Sequence, residues 1–197
     1  MKHVGMVLAA GASSRMQQPK ALLAVRDGMP LAQYQHDLLR QAGCIKVTVV
    51  LGSQADFIST RLSGCHVTVN PAWETGRLSS GQAGIKALQP FDGCVILPVD
   101  TVGVQVKTVI RLLEAAGHKT ARAIRPVYAG DHGKVVWISG AVAEEILSID
   151  PHEGRLDHFL EKTAVELDVA DTRILNNINT PMEWEEIREQ IPPLINP

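Results

Sequence analysis

Short apolar runs alternate with segments of helical period along the first ~120 residues, and this alternation constrains the fold more than any other feature. Positions 4–9 form an apolar run ending near a glycine, the pattern of a strand buried on both faces. Leu31, Tyr34, Leu38, Leu39 and Ala42 then recur at helical spacing, and Gly43 supplies the residue that closes a helix. Positions 46–51 are short and β-branched, which predicts a second strand. Phe57, Ile58, Arg61 and Leu62 mark a helix stopped by Gly64, and positions 66–69 a third strand. A helix carrying Ala83, Ile85 and Leu88 starts near Ser79 or Ser80, either of which can cap it. Positions 94–99 form a buried strand ending in Asp100, and Val106, Val109, Ile110, Leu113 and Ala116 an amphipathic helix stopped by Gly117.

Further on the texture changes. Positions 121–126 and 134–138 read as two strands joined through Gly130 and Gly133, a hairpin that predicts an antiparallel insertion at one sheet edge. A helix near 141–147, a helical turn near 156–160, strands near 164–169 and 173–178, and a helix from Pro181 complete the pattern. The expected fold is α/β: three α/β/α layers around a mostly parallel, Rossmann-like sheet, with a small antiparallel β insertion. No repeat, low-complexity tract or linker interrupts the sequence, so residues 1–197 read as one domain. In such sheets ligands bind beyond the carboxyl ends of the strands, which directs attention to Gly11 onward, Gly52, Asn70 and Asp100.

Composition sets the outer bounds. Hydrophobic residues make up 45% and charged residues 20%, which excludes a disordered or fibrous chain. Nineteen Lys and Arg against twenty-one Asp and Glu leave a net charge of −2, so bulk charge does not draw the protein to nucleic acid or to an anionic membrane. Any anion it binds needs a local site. No apolar run approaches the ~20 residues of a membrane span, and the opening segment lacks an export-type cleavage site, so a soluble, cytoplasmic protein is expected. Cys44, Cys65 and Cys94 are odd in number and lack CxxC spacing, the mark of reduced thiols rather than a disulfide framework or zinc site.

Three stretches carry chemistry. The loop over positions 11–20 combines small residues, the hydroxyls of Ser13 and Ser14 and the cations Arg15 and Lys20. Closely approaching backbone amides and nearby cations are what a polyphosphate requires, though a solvated loop would read the same way. The loop is not a Walker A motif, since Ala21 follows Lys20 where Ser or Thr is needed. Asp100, at the end of a buried strand, is placed either to hold a hard cation such as Mg²⁺ or to cap the next helix. In Asn177-Ile178-Asn179-Thr180-Pro181, period-two spacing sets two carboxamides on one face, and Pro181 suits a first helical turn that Thr180 or an Asn can cap.

Together these stretches resemble a known group. Leu8-Ala9-Ala10-Gly11-x-x-Ser14-Arg15-Met16, followed by Pro19-Lys20, is similar to the signature of nucleotidyltransferases with a glycosyltransferase-A-like fold. The segment Asn70-Pro71-x-Trp73-x-x-Gly76-x-x-Ser79-Ser80-x-x-x-Gly84 resembles the molybdenum cofactor cytidylyltransferase branch, close to the guanylyltransferase branch. Leu97-Pro98-Val99-Asp100 and the Asn-Ile-Asn-Thr-Pro stretch match two later motifs in order, so the resemblance covers nearly the whole chain. It implies the nucleotide-diphospho-sugar transferase type of sheet. It further implies a triphosphate on Ala9, Ala10, Gly11, Ala12, Ser13, Ser14, Arg15 and Lys20, a base pocket lined by Ser79 and Ser80, and Mg²⁺ or Mn²⁺ on Asp100 and Asn179. Arg15, Lys20 and Asp100 would then be the catalytic set.

The implied reaction moves CMP or GMP from an NTP to a phosphorylated, molybdopterin-type acceptor and releases pyrophosphate. A molybdoenzyme or cofactor-insertion protein is an implied further contact. Ala9-Ala10-Gly11 resembles the cytidylyltransferase form, and a methyl at Ala10 narrows the space over the base, so CTP is expected ahead of GTP. Asn177 and Asn179 instead resemble the guanylyltransferase pattern. Three sites depart from the family pattern: Val102 where Pro is usual, Gln17 where Gly is common, and the stretch Gly133-Lys134-Val135-Val136 in place of Gly-His-Pro-Val. Lys134 reads either as an exposed edge lysine or as a contact for a phosphate or carboxylate on a different acceptor. A sugar or polyol phosphate acceptor, and a nucleotide-binding regulatory protein without turnover, are the competing readings. Outside these motifs, Trp73 either covers the base or anchors its loop, His132, His152 and His158 read as surface or acceptor-pocket residues, and Glu183, Glu185, Glu186 and Glu189 beside Arg188 read as a solvated helix face.

Overall fold

The computed structural model describes residues 1–118 and 121–194. Within them one sheet contains β1 (His3–Ala9), β2 (Lys46–Leu51), β3 (His66–Val69), β4 (Gly93–Pro98), β5 (Ala123–Tyr128), β6 (Asp131–His132), β7 (Val136–Ser139) and β8 (Ala164–Asp168). The helices are α1 (Leu31–Gln41), α2 (Ala55–Ser59), α3 (Arg77–Leu88), α4 (Val106–His118), α5 (Gly140–Ser148), α6 (Leu156–Thr163) and α7 (Pro181–Ile187). Strand order is β3-β2-β1-β4-β7-β5-β6, with β8 paired to β5.

The period-two pattern of the apolar strands sorts their side chains between two cores. Val7, Val49 and Leu97 pack with Leu31 and Leu38 of α1 and Val109 and Leu112 of α4. Met6, Val50 and Ile96 pack on the opposite face with Ile85 of α3, Val142 of α5 and Leu156 of α6. A sheet buried on both sides by helices is the expected three-layer arrangement. Gly84 permits the close approach of α3, since a Cβ there would stand 2.7 Å from the Met6 sulfur.

The antiparallel strand sits elsewhere than at the expected edge. β7 is bonded between β4 and β5, antiparallel to both, in the interior of the sheet. Its Trp137 is 1% exposed and lies over Gly93, where a Cβ would come within 2.4 Å of the indole. Burying an indole is worth roughly 4 kcal/mol at ~25 cal/mol/Å², which an edge position would forfeit in part. The expected strand near 173–178 is also replaced. Asp171 accepts from the Arg173 amide and starts a 3₁₀ turn at Thr172–Leu175, after which Asn177 makes a single bridge to Thr101. The last helix starts as its sequence predicts, with Thr180 as N-cap and Pro181 at its first position.

Connections fix where a ligand can sit. β1, β2 and β3 run outward on one side, and the chain then crosses back to β4 on the other side of β1, all four strands being parallel. The carboxyl ends of β1 and β4 therefore flank the point where strand order reverses.

Candidate active site

Register brings the first two motifs side by side. Leu8 pairs with Pro98, and the Val99 amide donates to the Leu8 carbonyl at 3.0 Å, so Ala10–Gly11 and Asp100 leave the sheet at the same level. Between them opens a cleft of about 310 Å³. Of the residues expected to bind nucleotide, Ala10, Gly11, Ser13, Lys20 and Ser80 line it, as does Asp100. Ala9 is buried at the end of β1, Ala12, Ser14 and Arg15 are exposed on the loop, and Ser79 is turned away from the cleft.

The loop is held in a shape its sequence does not favour. Ser13 and Gln17 both take left-handed backbone angles, with φ of 54° and 63°, which costs side-chain-bearing residues about 1 kcal/mol each. Compensation is local. The Lys20 amide donates to the Ser13 hydroxyl at 3.1 Å, the Met16 amide to the Ser13 carbonyl at 2.9 Å, and the Met16 side chain is fully buried.

Lys20 is the hub of the site. Its ammonium donates to Asn179 Oδ1 at 3.0 Å and lies 3.8 Å from Asp100 Oδ2. Burial lowers its pKa below the usual lysine value, Asp100 opposes that shift, and the positive charges of Arg15 and Lys134 add to it. Arg15 also acts on Glu183, so although exposed it stands within electrostatic range of the hub. Lys20 and Asp100 thus line one cleft, with Arg15 on the exposed loop beside it.

Asp100 is not a helix cap. Asp171 fills that role for α4, accepting from the Gln105 amide at 2.9 Å and from the Thr108 hydroxyl at 2.7 Å. Asp100 Oδ1 is buried and has no partner. An orphaned carboxylate oxygen at a polar cleft suits a hard cation, the other reading of the sequence. Among the described residues no group of three or more His, Cys, Asp or Glu side chains could hold a metal ion. A cation on Asp100 would therefore complete its shell with ligand oxygens and water, which is how Mg²⁺ sits beside nucleotide phosphates.

The carboxamide stretch is tied to the same strand end. The Ile178 amide donates to the Asp100 carbonyl at 3.0 Å, and Ile178 is fully buried, so Asn177 and Asn179 turn to the opposite side. Each carboxamide oxygen accepts from a lysine, Asn177 from Lys134 at 2.7 Å and Asn179 from Lys20. Glu183 is no simple solvated residue. Its carboxylate accepts from the Asn179 amide at 2.6 Å and the Thr180 amide at 2.9 Å, bonds that lower its pKa and lock the stretch against the cleft. Of the other acids on that face, Glu185 and Glu189 pair with Arg188 as expected.

On the far wall Asn70 organises the start of α3. Its Nδ2 donates to the Ser79 hydroxyl at 2.9 Å and the Ser80 hydroxyl at 3.0 Å, and its Oδ1 accepts from the Ala72 amide. α3 begins earlier than the serines suggested, at Arg77 with Gly76 as N-cap at φ 115°, so neither serine caps it. The Ser79 hydroxyl instead has the carbonyls of Ala72 and Gly76 as alternative acceptors, at 3.0 Å and 2.9 Å. Trp73, Glu74 and Arg77 complete the wall; the last two were not singled out by sequence, since they occupy variable positions inside a motif read for its fixed ones. Trp73 lines the cleft and packs on Gly52, a contact that anchors its loop.

The cysteines lie away from this chemistry. All three are free, Cys44 and Cys94 are buried, and burial pushes the thiols of Cys44 and Cys65 up to about 12 and about 11. Among the described residues no helix is long and apolar enough to cross a membrane.

A doubly wound sheet with a small-residue loop, a lysine and a strand-end aspartate around one cleft defines an α/β nucleotidyltransferase. The chain belongs to the family of the MobA-like NTP transferase domain, which matches residues 5–167. It is 35% identical over 128 residues to a nicotine blue oxidoreductase of Paenarthrobacter nicotinovorans, a match that covers 64% of this chain and 61% of that protein's length. It is 27% identical over 196 residues to a molybdenum cofactor guanylyltransferase of Xanthomonas euvesicatoria pv. vesicatoria (strain 85-10), covering 95% of each. Among solved structures, Rv0371c of Mycobacterium tuberculosis H37Rv superposes with a TM-score of 0.81 at 26% identity, over 96% of this chain and 98% of that one. A complex of Rv0371c with manganese superposes with a TM-score of 0.75 at 22% identity, over 97% and 100%.

Proposed function

We propose that this nucleotidyltransferase transfers CMP from CTP, in preference to GMP from GTP, to a phosphorylated acceptor of molybdopterin type. The observation that carries the reading is Lys20, held between Asn179 and Asp100 at the mouth of the loop. The likeness to a molybdenum cofactor guanylyltransferase along nearly its full length supports the acceptor class. The Ala10 methyl in the cleft wall supports the smaller base.

In this reading a terminal phosphate oxygen of the acceptor bonds to the α-phosphorus of the NTP. The bond from that phosphorus to the bridging oxygen breaks, and pyrophosphate leaves with the electron pair. The attacking oxygen is already anionic near pH 7, so no general base is needed. Lys20 and Arg15 offset the triphosphate charge, and loop amides orient it for in-line displacement. Asp100, with Asn179 beside it, would hold a Mg²⁺ or Mn²⁺ ion, which would supply Lewis-acid neutralisation of the phosphates. The manganese complex solved for the mycobacterial neighbour supports a divalent ion of this kind.

The test is pyrophosphate release from CTP and from GTP, with Mg²⁺ or Mn²⁺ and molybdopterin. Release with CTP ahead of GTP is expected. A GTP preference would overturn the base assignment, release only with sugar or polyol phosphates the acceptor, and silence with every NTP and acceptor the activity. One observation favours a second reading, a nucleotide-binding regulatory protein: both carboxamides are uncharged and already engaged by lysines. Tight CTP binding without pyrophosphate release would decide for it.

A further inference from the structure

A second cavity, of about 370 Å³, lies between β5, the β6–β7 segment and α6. Arg77 lines both cavities, so the two adjoin. Five charged side chains border the second one: Arg77, Arg125, Lys134, Asp157 and Glu161, with His132 beside them.

Their pairing is uneven. Arg77 is engaged by Asp157 at 2.7 Å. Arg125 stands opposite Glu166 in the parallel β5–β8 register, yet Glu166 is held instead by His132 Nε2 at 2.6 Å. Among the described residues the Arg125 guanidinium has neither an ion pair nor a side-chain hydrogen bond. Lys134 is bound only to the neutral carboxamide of Asn177. Among the described residues Glu161 is the one acid on the cavity wall without an ion-pair partner.

We propose that this cavity seats the acceptor, and that Lys134 and Arg125 receive a second anionic group on it, distinct from the phosphate that attacks. The inference rests on the nucleotidyltransferase reading above and adds the charge class of the acceptor. An anion arriving at Lys134 displaces a neutral amide oxygen rather than a carboxylate, so the exchange replaces an ion–dipole hydrogen bond by one between opposite charges and breaks no ion pair. At Arg125 it meets a five-donor fork that no carboxylate of the described residues pairs. The spacing is also suitable. Lys134 and Lys20 grip alternate carboxamides of one short segment, so an acceptor can present its reacting phosphate at Lys20 and its second anion at Lys134. The second group is an oxyanion, a carboxylate or a phosphate.

Matched probes distinguish these cases by calorimetric titration, with and without a non-hydrolysable CTP analogue and Mg²⁺. Glycerol 3-phosphate carries one anionic group, 3-phosphoglycerate adds a carboxylate, and 2,3-bisphosphoglycerate adds a further phosphate. We expect the doubly or triply anionic probes to bind about tenfold more tightly than glycerol 3-phosphate, a ratio that falls to near one in the K134Q/R125Q double variant. The larger gain, from the carboxylate or from the added phosphate, names the source. Equal binding of all three probes by the native protein, no binding of either phosphoglycerate, or a ratio kept in the double variant would each overturn the proposal. Failure of the CTP analogue to bind is a separate outcome and would count against the nucleotidyltransferase reading itself. Thermal melting of the variant, compared with the native protein, shows whether its fold is intact.

Discussion

The Lys20 ammonium donates to the Asn179 carboxamide at 3.0 Å across 159 positions of sequence, and the same ammonium lies 3.8 Å from the Asp100 carboxylate. Three distant segments therefore meet at one charge. Removing any of them alters what the other two can do.

Asp100→Ala is expected to abolish divalent-dependent pyrophosphate release, by at least about a hundredfold in kcat, while the protein stays folded. The carboxylate has one orphaned oxygen and one distant ion pair, so little of the fold depends on it. Steady-state rates with Mg²⁺ and Mn²⁺, alongside a melting curve, check this. Normal turnover in the variant would remove Asp100 from the metal assignment.

Nucleotide affinity is expected to weaken at a lower pH than an ordinary lysine would allow. Burial lowers the Lys20 pKa, and a bound triphosphate favours the charged ammonium. Binding is therefore strongest below the lowered pKa and declines as pH rises through it, because binding must then take up a proton. Lys20→Arg should move that decline to higher pH, and Lys20→Ala should weaken CTP about tenfold at pH 7 and flatten the profile. Dissociation constants measured from pH 7 to pH 10.5 decide it, and an unchanged affinity in Lys20→Ala would contradict the phosphate-loop assignment.

Gln35 is buried in α1 and donates through Nε2 to the carbonyls of Val99 and Thr101, one on each side of Asp100. Gln35→Leu leaves both carbonyls unpartnered and should cost about 2 kcal/mol of stability. Because the clamp positions Asp100, kcat should fall more than nucleotide affinity does. Gln35→Glu replaces the donor with an acceptor facing two carbonyls and should be at least as damaging; denaturant unfolding of both variants tests the order.

Gly52 admits Trp73 and the Ala10 carbonyl, which a Cβ would meet at 2.4 Å and 2.8 Å. Gly52→Ala should therefore cost about 1–3 kcal/mol and displace the cleft wall, weakening nucleotide binding together with stability. Unaltered Trp fluorescence and affinity would show that the close approach is relieved at no functional cost.

Much of the cleft was legible before any coordinates. Local rules carried it: apolar runs ended where strands end, and Asp100 and the loop at positions 11–20 followed them, so a parallel sheet had to set both at its carboxyl edge. Thr180 and Pro181 started the last helix as their chemistry dictates.

Long-range packing decided the rest. Nothing near Val136 in sequence reveals that β7 enters the sheet interior, because the vacancy over Gly93 that receives Trp137 lies on another strand. Whether Asp100 capped a helix depended on Asp171, far along the chain, which took the cap and left Asp100 facing the cleft. Pairwise choices among charges were equally beyond the sequence: Glu166 could meet Arg125 or His132, and only the placement of β6 beside β5 gave it to the histidine. Periodicity is encoded in neighbours and survives in a linear reading, whereas partner selection is a competition among groups that only folding brings within reach.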